Sequence, residues 1–348
     1  MPFYNTLNSE KSDDRRTASG LLRLREALDI KIPAKTLDDS LLVASWNLRE
    51  FGGAKYGGRT REALFYIAEV MDRFDLVAVQ EVRDDLRALD QLMVILGSWW
   101  KYVITDVTGG RQGNSERLAF VYDQRKLSFG GLAGEVAPDM IKRPAGGLAA
   151  DFAFARSPYM VGFRAGWFKF SICTGHLYYG ESKPDDPQRL AEMKNVVELL
   201  QNRIKSADRW AKNVILLGDF NIFSELDKTF AALTAAFRKA PALDKSRSNQ
   251  GRTKAFDQIA FLAPDVHSQL EKAKGGVFDY YEYVYRIQDR EEYAKEDLTK
   301  FKDWRTYQMS DHLPIWIEVR IDFGIDYLKR KADPTAKQPP KPVVKPTV

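Results

Sequence analysis

One cysteine and three histidines in 348 residues exclude several classes of protein at once. Cys173 has no partner in the chain for a disulfide, and no Cys-x-x-Cys pair is there to hold structural zinc. Apolar runs such as Leu41 to Ala44 and Val214 to Leu217 fall far short of the ~20 residues that cross a bilayer. Met1-Pro2-Phe3-Tyr4-Asn5 lacks the basic-then-apolar opening of a secretory signal, so a cytoplasmic location without membrane insertion is expected. Internal repeats are also lacking.

An excess of basic charge over the body of the chain is lacking too, although the net charge is +5. Residues 329–348 hold Lys329, Arg330, Lys331, Lys337, Lys341 and Lys345 against Asp333 alone, which accounts for the entire excess. The rest is formally neutral, so overall basicity says little about nucleic-acid binding. What is present is ordinary globular material, 44% hydrophobic and 29% charged, enough for a large core.

Residues 1 to about 18 are polar and charge-mixed, the pattern of a poorly ordered end. Leu21, Leu24 and Leu28 then mark one face of a short amphipathic helix over 20–30, left through Ile32-Pro33. From Leu41 short β-rich runs alternate with helices. Strands are expected at 41–46, 76–79, 102–107, 118–122, 151–154, 159–163, 168–174, 214–217, 256–261 and 315–321. Helices are expected at 61–73, from an Asp84 cap to Leu96, and from Pro187 to about Ser206. Successive antiparallel strands predict an α/β fold of two packed sheets flanked by helices. This divides the chain into an N-terminal extension (1–40), a catalytic domain (41–322) and a Pro/Lys-rich flexible tail (323–348). Within the domain, residues 280–309 form an aromatic, charged insert with a helix expected over 291–304. Its tyrosines and lysines could stack bases and meet phosphates, and a solvated helical flap is the bland alternative.

The polar residues that matter gather where apolar strands stop. They are Asn47 after Trp46, Glu81 after Gln80, His176 in Thr174-Gly175-His176, and Asp219 and Asn221 in Gly218-Asp219-Phe220-Asn221. Asp257 and the pair Asp311-His312 complete the set. Sheets build sites this way, because strands fix the backbone and loops stay open to ligand. Glu81, Asp219 and Asp311 would repel one another without a divalent cation or a shifted pKa, and an oxygen-rich set with no cysteine suits Mg²⁺ or Mn²⁺ rather than zinc. Two histidines beside carboxylates supply an acid and a base near neutral pH. Together these residues suit hydrolysis of a phosphate ester.

In order and spacing, Trp46-Asn47-Leu48-Arg49-Glu50-Phe51-Gly52, Gln80 to Asp84, Gly218 to Asn221 and Ser310 to Pro314 resemble the endonuclease/exonuclease/phosphatase superfamily, nearest its deoxyribonuclease I-like branch. The likeness runs from about Leu41 to Asp322. It implies a four-layer sandwich of two mixed, mainly antiparallel sheets, and a nuclease hydrolysing DNA with Mg²⁺ or Mn²⁺. It implies Glu81, Asn47 and Asp311 at the metal, and His312 oriented by Asp257 to activate water. His176, partnered by Glu116, would protonate the leaving oxygen, and Arg156 would grip the phosphate. Asn221 and Asp219 would bind and polarise that phosphate, or hold a second cation. The resemblance leaves open which histidine is the acid and whether one metal or two take part. Sphingomyelinases share both histidines, so a phospholipid or sugar-phosphate esterase stays a rival, as does a non-catalytic interaction protein on the same fold. The disulfide of the secreted deoxyribonucleases has no counterpart here. The N-terminal helix, the 280–309 insert and the basic tail are additions.

Overall fold

The computed structural model describes residues 1–108, 114–138, 140–142, 148–150, 152–206, 209–293 and 297–333. Two sheets face each other. The first runs β12 (Gly275–Val277), β13 (Ile315–Arg320), β1 (Ser40–Phe51), β2 (Leu76–Arg83), β4 (Glu116–Asp123) and β3 (Trp100–Ile104). The second runs β11 (Asp257–Leu262), β10 (Asn213–Asp219), β9 (Phe168–His176), β8 (Tyr159–Ala165) and β5 (Ser128–Glu135). A small ribbon pairs β6 (Met140–Lys142) with β7 (Leu148–Ala150). Among the described residues only β1 with β2, and β9 with β10, are parallel, so the sheets are mixed and mainly antiparallel as expected.

The period of two along β1 explains the layers. Leu41 and Val43 point into the space between the sheets, where Phe163, Phe170, Ile172 and Ile317 meet them. Leu42, Ala44 and Trp46 point outward, under α1 (Ser12–Lys31), α2 (Arg61–Asp72) and α3 (Arg87–Leu96). The outer face of the second sheet is covered by α4 (Pro187–Lys205) and α5 (Lys228–Thr234), through Met193, Val196, Leu200 and Leu233. Helix, sheet, sheet and helix make four layers. Each fully buried aromatic, such as Phe168 or Phe170, adds roughly 2–3 kcal/mol of transfer free energy. Among the described residues no helix is long and apolar enough to cross a membrane.

Several elements differ from their sequence expectation. The first helix begins at Ser12, not near 20, because Asp14 is buried, accepts from Asn8 N at 2.8 Å and pairs with Arg61 at 2.7 Å. The third starts at Arg87 without an Asp84 cap: pairing of β2 with β4 runs on to Arg83, leaving Asp84 in the bend. Residues 152–154 are not a strand; Ala155 N is drawn instead to the carboxylate of Glu192 at 2.7 Å. Asp151 lies outside the described residues. The insert holds a 3₁₀ stretch, Ile287–Tyr293, and then α6 (Leu298–Gln308), whose cap Asp297 accepts from Lys300 N at 2.9 Å. Its Tyr280, Tyr281 and Tyr285 are buried in the helical-side core, so they offer no base-stacking surface. Beyond Lys329 the chain stays helical in α7 (Gly324–Ala332), and 334–348 lie outside the described residues.

Candidate active site

The ends of neighbouring strands place the polar residues in two rows. In the second sheet His176, Asp219 and Asp257 are register partners across β9, β10 and β11. This close pairing depends on Gly218, whose φ is +142°: a Cβ there would stand 2.1 Å from the Gly175 carbonyl oxygen. In the first sheet Asn47 ends the regular part of β1 opposite Gln80, and the register breaks beyond it. Arg49, Glu50 and Glu81 all have positive φ, a backbone form non-glycine residues seldom take, and it turns Glu81 toward the cleft.

The two rows meet. Asn47 Nδ2 donates to Glu81 Oε1 at 2.9 Å and across the sheets to Asp219 Oδ2 at 3.0 Å. Glu81 Oε2 accepts from Glu50 N at 2.9 Å. His176 Nδ1 lies 2.9 Å from Glu116 Oε2, and His312 Nδ1 lies 2.7 Å from Asp257 Oδ2. The Nε2 atoms of both rings are 3.6 Å from the same atom, Asp219 Oδ2. Arg156 pairs with Glu116 and donates to the His176 carbonyl at 3.3 Å. Asn221 uses its amide to hold Leu177 O at 2.8 Å, while its N–H donates to Asp219 Oδ1 at 3.0 Å. Asp311 is the most open of the ten, its carboxylate 3.6 Å from Arg49 Nε.

Charge is finely balanced here. Burial works against ionised Asp219, but His312, His176 and the Asn47 amide outweigh it and hold its pKa below the usual range. Glu116 is likewise lowered, since His176 and Arg156 overcome its desolvation. Burial raises Glu81, and neighbouring Glu116 and Asp311 add to the rise. Desolvation and Arg156 oppose charge on His176, yet Glu116 and Asp219 win and raise it. His312 is raised well above an ordinary histidine, because Asp257 and Asp219 outweigh its burial.

Glu81, Glu116 and His176 bring ligand atoms within 4.8 Å of one another, as do Asp219, Asp257 and His312. Four buried or half-buried carboxylates face one guanidinium and two imidazoles, a donor set that fits a hard divalent cation. Asn47 turns its nitrogen, not its oxygen, to the carboxylates; Oδ1 accepts from Arg49 N at 2.9 Å. Chemically, two imidazoles backed by carboxylates and converging on one point can take and give protons on opposite sides of a bound ester.

One residue of this neighbourhood escaped the sequence reading. Glu192 of α4 is buried and accepts from Ala155 N and Tyr178 N, both at 2.7 Å, so it fastens the backbone beside Arg156 to that beside His176. A carboxylate on the apolar stripe with Met193 and Val196 was its signal in the sequence. His267 accepts from Ala263 N at 3.1 Å within its own turn, away from the site.

The profile of the Endonuclease/Exonuclease/phosphatase family matches residues 44–265. Bovine Deoxyribonuclease-1 is 29% identical over 191 residues, 52% of this chain and 61% of that protein. The chain thus spans about six-tenths of the length of that relative. An endonuclease/exonuclease/phosphatase family protein of Bacteroides thetaiotaomicron has the same fold, with a TM-score of 0.55 and 19% identity over 83% of this chain and 98% of that one. So does a mannosyl-6-phosphatase of the same organism, with a TM-score of 0.52 and 17% identity over 80% and 99%.

Proposed function

The chain belongs to the endonuclease/exonuclease/phosphatase family, whose members hydrolyse phosphoester bonds, and we propose that it is a divalent-cation-dependent phosphodiesterase that cleaves DNA. The observation that carries this reading is the convergence of His176 Nε2 and His312 Nε2 on Asp219 Oδ2, each 3.6 Å away and each ring backed by its own carboxylate. His312, oriented by Asp257 at 2.7 Å, takes the proton of the attacking water. His176, steadied by Glu116, delivers a proton to the departing oxygen. Arg156 and Asn221 bind the scissile phosphate, and Asp219 orients both rings toward it.

Glu81 and Asp311 would hold Mg²⁺ or Mn²⁺. Asn47, the third residue of that set, fixes Glu81 through its amide nitrogen. A cation there supplies charge for the phosphoryl oxygens. The similarity to Deoxyribonuclease-1 supports DNA over other esters. A cytoplasmic location, which the lone buried Cys173 suits, is part of the same reading.

The test is a substrate panel with Mg²⁺, with Mn²⁺ and with chelator: plasmid and linear DNA, RNA, sphingomyelin micelles, a sugar phosphate and a chromogenic diester. Cation-dependent loss of DNA is expected. Release from lipid or sugar phosphate with intact DNA gives the substrate to the rival esterases. No hydrolysis of any ester leaves an interaction protein.

A further inference from the structure

The loop Ser310–Pro314 brings Asp311 and His312 to the site, and both lie beyond the span 44–265 that the family profile matches. Apart from the Asp311 side chain the loop is buried, so its backbone groups must find partners inside the protein. Trp46 of β1 and the loop that precedes β11 serve it first. Gln250 N donates to Asp311 O at 2.7 Å, Leu313 N donates to Ser248 O at 2.6 Å, and Trp46 Nε1 donates to His312 O at 3.0 Å. Ser310 Oγ donates to Asn47 O at 2.6 Å and accepts from His312 N at 3.0 Å, Phe278 N donates to Pro314 O at 3.0 Å, and the insert adds two phenols. Tyr280 Oη stands 2.9 Å from Ser310 O and 2.8 Å from His312 O, and Tyr281 Oη stands 2.8 Å from Ser310 O and 3.0 Å from Arg305 O.

A phenol has one proton to give. That of Tyr280 lies between two carbonyls two residues apart, in a three-centre bond that straddles Asp311. It therefore fixes the peptide plane before Asp311 and the one after His312, on either side of the Asp311-His312 pair. Burial raises the Tyr280 hydroxyl far above the usual phenol range, so it remains a donor at any working pH. The ring cannot drift, because it packs on Trp46 at 5.3 Å and on Tyr281 at 4.6 Å between centroids.

We propose that Tyr280 is a positioning residue for one half of the site, and that the 280–309 insert serves to hold the Asp311-His312 loop rather than to select substrate. Tyr281 assists from the Ser310 side. His176 and Glu116, at the ends of β9 and β4, owe nothing to these hydroxyls, so the effect is confined to His312. The assignment rests on the proposed hydrolase reading for its kinetics only.

The experiment is Tyr280→Phe, which keeps the ring and removes the proton. In the metal-free protein the three histidine ring signals are followed by NMR, assigned with His176→Gln and His312→Gln. The His312 signal is expected to broaden or split while that of His176 stays single. With Mn²⁺ and a chromogenic phosphodiester, kcat is expected to fall at least tenfold with KM within twofold. If Tyr280→Phe fails to fold, Tyr281→Phe is read the same way and should show a weaker His312-selective change. An unperturbed His312 signal, or equal changes in both histidines, overturns the assignment. The NMR arm needs no turnover, so its failure and failure of the hydrolase reading are told apart.

Discussion

Asn47, at the end of a strand in one sheet, donates a 3.0 Å hydrogen bond to Asp219, at the end of a strand in the other. The same amide nitrogen lies 2.9 Å from Glu81, so one short neutral side chain joins the carboxylate proposed to hold the cation to the carboxylate that both histidines face. Asn47→Ala should separate them and lower kcat about 10–100-fold, the range seen when a group orienting metal ligands is lost. The check is kcat against cation concentration. Full activity at saturating Mn²⁺ would limit Asn47 to cation affinity.

His312→Ala and Glu81→Ala should each leave a folded protein with turnover reduced by about 10²–10⁴-fold. They differ in their response to the cation. Mg²⁺ or Mn²⁺ should raise the melting temperature of the native chain, because binding to the folded state alone adds stability by mass action. That rise should persist in His312→Ala and disappear in Glu81→Ala. In chelator, Glu81→Ala should melt no lower than the native chain, since burial and Glu116 already oppose that charge. A cation-induced rise surviving in Glu81→Ala would move the metal site elsewhere.

Gly218→Ala tests the spacing of the second sheet's row. Its Cβ would meet Gly175 O at 2.1 Å, with further backbone atoms at 2.9 and 3.1 Å, so neither strand can yield by turning a side chain. The expected cost is about 1–3 kcal/mol by urea unfolding, together with a marked loss of kcat as His176 and Asp219 part. A stable, active Gly218→Ala protein would show that the pairing tolerates greater separation.

A pH effect is expected well away from the site, at Asp123. Burial works against its charge, but hydrogen bonds from Arg125 and Lys35 prevail and hold its pKa below the ordinary 3.8. A carboxylate depressed in the folded state contributes fully above its unfolded pKa and loses that contribution as pH falls through the folded value. Asp123→Asn should therefore cost about 2 kcal/mol at pH 7. The gap from the native chain should narrow as pH drops below 3.8 into the strongly acid range. Urea midpoints at pH 7, 4 and 2.5 give the comparison, and a gap independent of pH would mean the loss is one of packing.

The sequence was most legible where its signal is local. The short, continuous apolar runs at Leu41 to Ala44 and Val214 to Leu217 mark strands buried on both faces, and polar residues just past those runs mark the rim where ligands bind. Thr60, Asp186 and Asp297 cap helices through contacts a few residues along the chain, and two of those helices lie where periodicity alone places them. Mistakes arose where a long-range partner overrode a local pattern. Asp84 reads as a cap, but β2 keeps pairing past it, and residues 152–154 read as a strand, but Glu192 claims the adjacent backbone.

Residue order settles which chemical groups this protein has, and which strand each of them follows: two histidines, a set of carboxylates and amides, and one arginine. Which of them touch is settled by folding. The pairing of Glu116 with His176, 60 residues apart, and the reach of Tyr280 to the His312 carbonyl depend on how two sheets stack and where an insert packs. Those distances are set by burying apolar faces that carry no mark of the site, so nothing in the order of residues specifies them directly.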